Sequence, residues 1–483
     1  MNEQQKLPLA AKILLALMSV ALTLIIIEIG LSLAYPQQTY GRAQALTAGY
    51  FQESELLIWE LLPNFQGTAQ AQEGEVVEYE VHINSLGFRD EEFSVEKGED
   101  VYRIMTIGDS FTFGLAVDDG QEYPAQLEAC LAERLYGPTR YEVINAGYAS
   151  GFSPDSFYVF LDQIAPPYDI DFAIVGYLSV NDFLDLYDTV WVEEENGLPQ
   201  RISSNTRFLN LQGQLTFRDT LPRYRLPVLR HSHTFQLIME VLLENTNVLE
   251  GEVSPYDENP DIWLWVYLPQ LPDELQALFD TSMRMLDGMQ TLSARDDYEM
   301  MVLLMPGGIQ IHEPWWGDTE QYPNPYHGPP ENAYPQKAIR AYLDEHGIEH
   351  YDLLPHLQGR RDFYNHPFGH WTPSGNHAVG RMVCNYMIEE HLREHLLTTG
   401  ADGLRGIASE GGIDIYQQGQ RIGGASIGDD NIPRIDDFHD DYEAIITQTA
   451  DAYTLTINDV SGPEPAVIRL GFDADGALIF LPD

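Results

Sequence analysis

The chain has 483 residues, 44% of them hydrophobic, which is ample for a large core and too long for one compact domain, so we expect two or three units. Its formal net charge is -49, and a surface this acidic repels nucleic acid and anionic lipid, so nucleic-acid binding is excluded as a function. The two cysteines, Cys130 and Cys384, fit neither a metal site nor a disulfide framework. Buried free thiols are the first expectation for them, and a single bridge is the alternative.

The first predicted element is a membrane helix. The run Ile13–Ile27 is almost entirely apolar, and extended through Leu33 the segment has about 20 residues, enough to cross a bilayer. Lys6 and Lys12 precede it and acidic sequence soon follows it. By the positive-inside rule the N-terminus stays in the cytoplasm and the chain after about Pro36 lies outside.

A cleaved signal peptide is the alternative interpretation of this segment. Ser32-Leu33-Ala34 has small residues at the spacing of a cleavage site. The apolar run is long for a signal peptide, which favours a retained anchor. We therefore expect residues 1–36 to hold a single-pass protein in the cell membrane, with the remaining chain extracytoplasmic.

Next along the chain, Val76–Ile83 alternates like a strand and Asn84–Asp90 is typical of a turn. Strand-like and helical segments then alternate, which predicts a parallel sheet with right-handed crossovers, and hence an α/β three-layer sandwich of the flavodoxin-like type. We expect this domain to span residues 37–398. The predicted strands are Arg103–Ile107, Tyr141–Asn145, Phe172–Tyr177, Tyr298–Leu304 and Glu349–Leu353, and the predicted helices are Tyr123–Leu135, Asp155–Ile164, Pro272–Met289, Tyr334–His346 and Ser374–Glu394.

An insertion at residues 183–297 interrupts this alternation. It contains strand-like pieces at Val190–Val192 and Gln214–Arg218, an apolar helix around Phe235–Leu243, and a polar, Pro-containing stretch from Glu250 to Pro260. We expect it to form a cap near the functional site, either as a lid that shapes substrate access or as a structural decoration.

The last predicted region is small and β-rich, residues 399–483. Gly- and Asp-rich sequence runs from Thr399 to His439, and strand-like segments follow it. These segments are Tyr442–Ile446, Tyr453–Ile457, Ala466–Phe472 and Ala477–Leu481, and they predict a β meander or a fragment of a sandwich.

Four segments of the α/β part carry candidate functional residues, and the first of them suits an acyl-transfer nucleophile. Ser110 follows the first predicted strand in Gly108-Asp109-Ser110-Phe111, on a strand-to-helix turn where backbone N–H groups lie close to its hydroxyl. Gly151 and Asn181 follow the second and third strands, and His370 precedes the last core helix. The carboxyl ends of parallel strands meet at one sheet edge, so these residues are expected to converge there.

On these four ordered blocks the chain resembles the SGNH (GDSL-like) hydrolase superfamily, over roughly Tyr40 to Leu397. It is similar to the membrane-anchored members also in the Asn84–Asp90 turn. The resemblance implies that Ser110 is the nucleophile and His370 the general base. It further implies that the backbone N–H groups of Ser110 and Gly151 and the side-chain amide of Asn181 form the oxyanion hole.

The sequence departs from the superfamily pattern at two positions. An aspartate usually stands three residues before the histidine, and Pro367 occupies that position here. Asp362, Asn365 or Asp352 is therefore expected to orient His370, unless a backbone carbonyl does so or a Ser–His dyad acts alone. Ser179 replaces the usual glycine of the third block, which is tolerable because Asn181 supplies the donor.

No metal or cofactor is expected. His366, His370 and His377 are close in sequence, but the prolines and glycine between and around them disfavour the regular helix that would place two ligands on one face. We interpret His377 as a surface or packing residue. The pair Trp315-Trp316 and Trp371 are interpreted as buried aromatics, with the lining of a sugar-binding cleft as the alternative.

The sequence thus predicts an extracytoplasmic, membrane-anchored serine esterase acting on an O-acylated carbohydrate or a small acyl ester. Two other functions remain open at this stage. A polysaccharide O-acyltransferase would use the same nucleophile, with a sugar hydroxyl in place of water. A non-catalytic glycan-binding or scaffold protein of the same fold is suggested by the missing aspartate at position 367.

Overall fold

A computed structural model describes most of the chain in two compact units. The first comprises Met1–Leu62, Asp188–Glu194 and Gln200–Trp265, and the second comprises Pro63–Tyr187, Glu195–Pro199 and Val266–Asp483. Within them the described residues are 8–35, 37, 49–73, 75–149, 151–204, 207–209, 215–217, 229–245, 270–271, 273–316, 329–330, 334–367, 369–398, 403–409, 411–428, 432–449, 452–459, 465–473 and 476–482.

The helices in chain order are α1 (Leu9–Ala34), α2 (Ser110–Phe113), α3 (Tyr123–Arg134), α4 (Pro154–Val159), α5 (Asp182–Asp185), α6 (His233–Asn245), α7 (Asp273–Asp296), α8 (Gly308–Ile311), α9 (Glu313–Trp316), α10 (Tyr334–His346), α11 (Leu354–Leu357), α12 (Pro373–Met387) and α13 (Arg393–Thr398). Single π-helical turns, Phe160–Ile164 and Ile388–Leu392, follow α4 and α12, and short 3₁₀ turns span Pro166–Tyr168, Leu186–Asp188, Leu229–His231 and Arg361–Phe363.

The strands are β1 (Phe51–Gln52), β2 (Glu60–Leu61), β3 (Gln66–Glu73), β4 (Glu75–His82), β5 (Val101–Gly108), β6 (Leu135–Tyr136), β7 (Arg140–Gly147), β8 (Phe172–Leu178), β9 (Thr189–Glu195), β10 (Leu198–Ser204), β11 (Arg207–Leu209), β12 (Leu215–Phe217), β13 (Glu299–Met305), β14 (His350–Asp352), β15 (Leu404–Ser409), β16 (Gly412–Gln417), β17 (Gln420–Ile427), β18 (Pro433–Asp436), β19 (Tyr442–Gln448), β20 (Tyr453–Asp459), β21 (Ala466–Phe472) and β22 (Leu478–Phe480).

A parallel five-stranded sheet forms the centre of the second unit. Its strand order is β14-β13-β8-β5-β7, and every neighbouring pair runs parallel. The chain crosses the sheet in one direction from β5 to β7 and in the other from β7 to β8. With right-handed crossovers, this reversal places α3 and α4 on opposite faces. Accordingly, α3 packs on α12 while α4 packs on α7. The predicted α/β fold with a parallel sheet is confirmed.

A disulfide joins two of these helices. Cys130 of α3 and Cys384 of α12 are bonded, with their Cα atoms 6.2 Å apart. The first expectation, buried free thiols, is wrong. The alternative of a single bridge is what the structure shows, because α3 and α12 pack side by side although their cysteines are 254 positions apart in sequence.

The C-terminal β region is confirmed, and it holds more strands than the sequence predicted. One antiparallel sheet has the order β18-β17-β16-β15-β6 and another the order β19-β20-β21-β22. Both contribute to one buried cluster, which contains Ile415, Leu455 and Leu470. The Gly- and Asp-rich stretch, in which no individual strand was predicted, supplies β15–β18. The strand β6, directly after α3, joins this region to the α/β part.

The first unit contains α1, the hairpins β1–β2 and β11–β12, and α6. Residues Leu14–Ala34 have a mean hydropathy of 2.5 and none of them is buried, so by length and composition this helix is able to cross a membrane. The predicted apolar helix of the insertion is present as α6. The stretch from Glu250 to Pro260 lies outside the described residues. The role of the insertion as a lid, and the division of the chain at residues 36 and 398, stay predictions.

Candidate active site

Ser110 is the first residue of α2, directly after the central strand β5. Asp109 caps this short helix, because its Oδ1 accepts a hydrogen bond of 2.9 Å from the backbone N–H of Phe111. The helix ends at Gly114, whose φ of 85° is in the left-handed region that glycine tolerates. The sequence thus gives a single helical turn that presents the Ser110 hydroxyl at the carboxyl end of the sheet.

The backbone of this turn lies very close to Gly147, the last residue of the neighbouring strand β7. A Cβ atom on Gly147 would lie 2.2 Å from the backbone nitrogen of Phe113 and 2.5 Å from the carbonyl carbon of Thr112. Only glycine fits there, because real Cβ contacts are never this short and backbone atoms on both sides cannot give way. The position of Ser110 therefore depends on the glycine that ends β7.

His370 meets Ser110 across 260 residues of sequence. Its Nε2 lies 2.7 Å from Ser110 Oγ. The loop that carries it is fixed on both sides: Asn365 N–H donates to the His370 carbonyl (3.0 Å), and Thr372 caps α12 by accepting from Gly375 N–H. The imidazole also packs at a tilt against the ring of Phe111, with centroids 4.8 Å apart. A histidine in this position can take the proton of the hydroxyl.

Glu73 is the carboxylate that contacts the histidine. Its Oε1 lies 2.7 Å from His370 Nδ1, and its Oε2 accepts a hydrogen bond of 2.8 Å from the backbone N–H of the same residue. The side chain is 3% exposed. Burial raises the pKa of Glu73, but the charge of His370 and the hydrogen bonds it donates, with a smaller contribution from His366, lower it overall below its ordinary value. The carboxylate is therefore ionised at neutral pH and holds the ring with Nδ1 protonated.

None of the three side chains expected to orient His370 does so. Asp362 is exposed and accepts hydrogen bonds from the Arg360 guanidinium, and Asn365 contacts His370 through its backbone N–H. Asp352 accepts from Gln336 Nε2 at 2.6 Å and from the N–H of Leu354. These expectations are corrected by the geometry, because the position beside Nδ1 is filled from the tip of the hairpin β3–β4.

One signal in the sequence points to Glu73. Ala69 (1% exposed), Ala71 (6%) and Glu73 (7%) occupy alternate positions of β3, so the glutamate continues the buried face of the strand. Charged residues are almost never buried without a partner. A glutamate at the end of such a face was therefore a candidate for an interaction with a distant basic group.

The two other expected donors of the oxyanion hole follow the strands on either side of β5. Gly151 lies after β7 with a φ of 72°, and Asn181 follows β8 and directly precedes the short helix α5. The side-chain amide of Asn181 donates to Asp185 Oδ2 at 3.2 Å. The topology therefore places both residues at the same sheet edge as Ser110, while their action on a substrate oxygen stays a prediction.

Two buried carboxyl groups, those of Asp109 and Asp182, interact next to the nucleophile turn. Burial raises the pKa of Asp109 to about 7, with Asp185 adding to the rise and His370 opposing it. Burial and the charge of Asp109 raise the pKa of Asp182 well above its ordinary value, although the N–H of Leu178 donates to its Oδ2. This part of the site thus carries less negative charge at neutral pH than its composition indicates.

Trp316, Trp371 and His377, which were also candidates from the sequence, pack in the core or lie at the surface. Trp371 is 1% exposed and packs edge-on against Phe111, and Trp316 is also buried, so both belong to the core. His377 Nδ1 lies 2.6 Å from Gln126 Oε1 at the surface. Within the described residues, no group of three or more His, Cys, Asp and Glu side chains is arranged to hold a metal ion.

Comparison with known proteins gives matches among solved structures. A lipase/acylhydrolase from Enterococcus faecalis is similar with a TM-score of 0.28 and 11% identity, over 59% of this chain and 95% of that one. A lipolytic protein of the G-D-S-L family from Desulfitobacterium hafniense is similar with a TM-score of 0.26 and 12% identity, over 59% and 98%. An acetyl xylan esterase is similar with a TM-score of 0.30 and 13% identity, over 59% and 100%.

No protein-family model and no curated protein matches the chain. The three structures are named as acylhydrolases and esterases, the class to which the sequence resemblance pointed. At these TM-scores the likeness carries no argument about activity, and the chain's own side-chain geometry is what bears on it.

Proposed function

We propose that the chain is a serine ester hydrolase that uses Ser110, His370 and Glu73 as a catalytic triad. The observation that carries the proposal is the continuous chain of contacts from Ser110 Oγ to His370 Nε2 (2.7 Å) and from His370 Nδ1 to Glu73 Oε1 (2.7 Å). Such a chain activates a hydroxyl that is otherwise a weak nucleophile, because the imidazole takes its proton and the carboxylate stabilises the imidazolium that forms.

In the proposed reaction, Ser110 Oγ attacks the carbonyl carbon of an ester and its proton moves to His370 Nε2. The tetrahedral intermediate collapses, and the departing alcohol takes that proton. Water then attacks the acyl-enzyme, with His370 acting again as base, and the acid is released. The N–H groups of Ser110 and Gly151 and the amide of Asn181 would stabilise the oxyanion, once that amide turns from Asp185 to the substrate.

The proposed location is the outer face of a cell membrane, with α1 as a retained single-pass anchor. The length and exposure of Leu14–Ala34 support the anchor. The disulfide between Cys130 and Cys384 supports an oxidising compartment for the catalytic part, because such bonds are rare where thiols are kept reduced. The proposed substrates are O-acylated carbohydrates or small acyl esters.

The contact with Glu73 removes the reason for a non-catalytic function. That alternative rested on the missing aspartate at position 367, and a buried carboxylate contacts His370 from another part of the chain. Hydrolysis and acyl transfer proceed through the same acyl-enzyme. They differ in the acceptor of the acyl group, which is water in hydrolysis and a sugar hydroxyl in acyl transfer. Supplying a donor ester with a glycan and measuring free acid against acylated glycan identifies the acceptor.

The test of the proposal is hydrolysis of a short-chain aryl ester by the full chain in detergent, together with fluorophosphonate labelling mapped by peptide mass. We expect label on Ser110, and we expect Ser110→Ala to lower kcat on the order of 10⁶-fold with an unchanged unfolding transition. Ser374→Ala, an exposed serine on the adjacent helix, is the matched control and should retain both properties. Equal activity of the Ser110→Ala protein and the unmodified chain would contradict the proposal.

A further inference from the structure

The helix α6 buries two polar side chains and exposes an apolar one. His233 (8% exposed) and Gln236 (2% exposed) are three positions apart and are buried, whereas Ile238 is 52% exposed. Residues 236 and 238 fall about 200° apart around a helix of 3.6 residues per turn. His233 and Gln236 are thus turned to the protein, together with Met239 (7% exposed), whereas Ile238 is turned outward.

The first turn of α6 is fixed to α1 by Glu28. Its carboxylate accepts hydrogen bonds from Ser232 Oγ (2.8 Å), from the backbone N–H of His233 (2.6 Å) and from that of Thr234 (2.9 Å). The first N–H groups of a helix have no partner inside the helix, so the carboxylate supplies their hydrogen-bond acceptor. Its negative charge also interacts favourably with the positive end of the helix dipole. In addition, His233 Nδ1 accepts from the N–H of Gln37, just beyond the end of α1.

The contacting side of α1 lies within the segment that is able to cross a membrane. From Leu14 to Ala34, the residues with reduced exposure are Glu28, Leu31 and Ser32, which share one face of the helix. Glu28 is six residues before Ala34, and at 1.5 Å per residue the start of α6 lies about 9 Å inside the end of the span. This depth is within the hydrocarbon region of a bilayer that is about 30 Å thick.

We propose that α6 is embedded in the leaflet nearest the carboxyl end of α1, with its Ile238 side in contact with phospholipid acyl chains. The inference rests on the proposed membrane anchor. Lipid is the occupant that fits, because the first turn of α6 is bonded to the anchor helix at acyl-chain depth and Ile238 is exposed and apolar. His233 and the Glu28 carboxylate find hydrogen-bond partners inside the protein, as polar groups at that depth require.

The test places an environment-sensitive fluorophore at position 238 of the full chain in vesicles of phosphatidylethanolamine and phosphatidylglycerol. Both native cysteines are in the disulfide, so Ile238→Cys supplies one free thiol for nitrobenzoxadiazole labelling. Val467→Cys in β21 is the matched control, since Val467 is 51% exposed and also apolar. We expect blue-shifted emission at position 238 and loss of its intensity when lipids with acyl-chain nitroxides are added, and neither effect at position 467.

The contact with Glu28 is tested in the same vesicles. Glu28→Leu removes the acceptors of the first turn of α6, so the quenching at position 238 should fall, whereas Glu28→Gln keeps one oxygen and should retain part of it. Water-like emission without quenching at position 238 overturns the proposal. A blue shift that depends on protein concentration and resists lipid quenchers also overturns it, because a second copy then covers the helix.

Flotation of the vesicles on a sucrose gradient separates this inference from the proposed anchor. A chain that floats but shows position 238 in water overturns the embedding of α6 and leaves the anchor standing. A chain that does not float, or that has lost its N-terminal segment, overturns both. The esterase assay reports on Ser110 independently of either result.

Discussion

Both carboxylate oxygens of Glu73 are engaged by the same histidine. One accepts from the ring at Nδ1 and the other from the backbone N–H of His370. Gly369 makes this possible, because a Cβ atom there would lie 2.6 Å from Glu73 Oε2. The arrangement fixes the tautomer and the rotation of the imidazole together, so the lone pair of Nε2 is directed at the Ser110 hydroxyl.

We therefore expect Glu73→Gln to lower kcat of ester hydrolysis by about 10²- to 10⁴-fold. A glutamine side chain has one acceptor, so it either loses the backbone contact or donates to Nδ1 and imposes the wrong tautomer. Asp362→Asn is the control, with the same loss of a carboxylate near the same loop, and it should retain full activity. The role of Glu73 would be refuted if the two variants had equal rates in steady-state kinetics.

Asp109 gives a second prediction, about stability and pH. Burial raises its pKa in the folded state to about 7, whereas an aspartate in the unfolded chain has a pKa of about 3.9. Between these values the folded state binds more protons than the unfolded state. The free energy of unfolding therefore falls as pH rises from about 4 to about 7, and the contribution of this group is constant above that window.

The variant Asp109→Asn should remove part of this dependence, because its Oδ1 still accepts from the Phe111 N–H but does not ionise. Denaturant unfolding at a series of pH values from 5 to 8 measures the effect. We expect a shallower decline for the variant than for the unmodified chain. Parallel curves would show that Asp109 ionises normally in the folded protein.

At the level of elements, the turn between β5 and α2 is packed closely against Gly147 at the end of the neighbouring strand β7. Gly147→Ala places a methyl group against the backbone of Phe113 and Thr112, with no flexible side chain to move aside. We expect a loss of about 1–3 kcal/mol in the free energy of unfolding, as for overpacking in a core, and a further loss of esterase activity because Ser110 shifts.

Gly98→Ala is the matched control for this prediction. A Cβ atom there has one near neighbour, a methyl group of Val101 at 3.2 Å, and the position lies on a loop. Chemical denaturation and aryl ester hydrolysis of both variants check the expectation. A Gly147→Ala protein as stable and active as Gly98→Ala would mean that the strand end does not position the nucleophile.

The elements that the sequence predicted well are those with strong local periodicity. The strand Val101–Gly108 and the helix Tyr334–His346 match their predictions within two residues at each end. The strand is buried inside the sheet and the helix packs one face against the protein core. Each therefore has a regular spacing of apolar residues, which can be recognised from the sequence alone. The proximity of Ser110 and His370 followed in the same way, because parallel strands direct their carboxyl ends to one edge.

The strands β15–β18 were missed for a physical reason. Their sequence is rich in glycine, which is typical of loops, yet Gly423 lies against the ring of Phe438, and a Cβ atom there would be 2.3 Å from it. Glycine is needed in this strand because another part of the chain approaches closely. Such a requirement arises from tertiary contact, and local composition predicts the opposite.

Glu73 was missed for a related reason. It contacts a histidine 297 positions away, and the superfamily pattern directed attention to residues beside His370. Local spacing predicts which residues share a strand face, but it does not predict which hairpin tip reaches which loop. The third member of the triad therefore required the fold, whereas Ser110 and His370 could be proposed without it.

At the scale of the whole chain, one disulfide bond joins α3 to α12, the helix that follows the loop of His370. The bridge between Cys130 and Cys384 closes a loop of more than half the sequence. By constraining the unfolded chain, a native disulfide typically contributes about 2–4 kcal/mol, in a model-dependent way. It therefore supports the packing of α3 on α12, the helix that follows the loop of His370.

We expect the double variant Cys130→Ala, Cys384→Ala to lose stability by about that amount, with a lower Tm and a lower denaturant midpoint. Reductant should lower the Tm of the unmodified chain in the same way and leave the variant unaffected, because the variant has no bond to reduce. Thermal unfolding of both proteins, with and without dithiothreitol, measures this. A Tm of the unmodified chain that is insensitive to reductant under unfolding conditions would mean that the bridge contributes nothing to stability, and the support it gives to an oxidising compartment would fall with it.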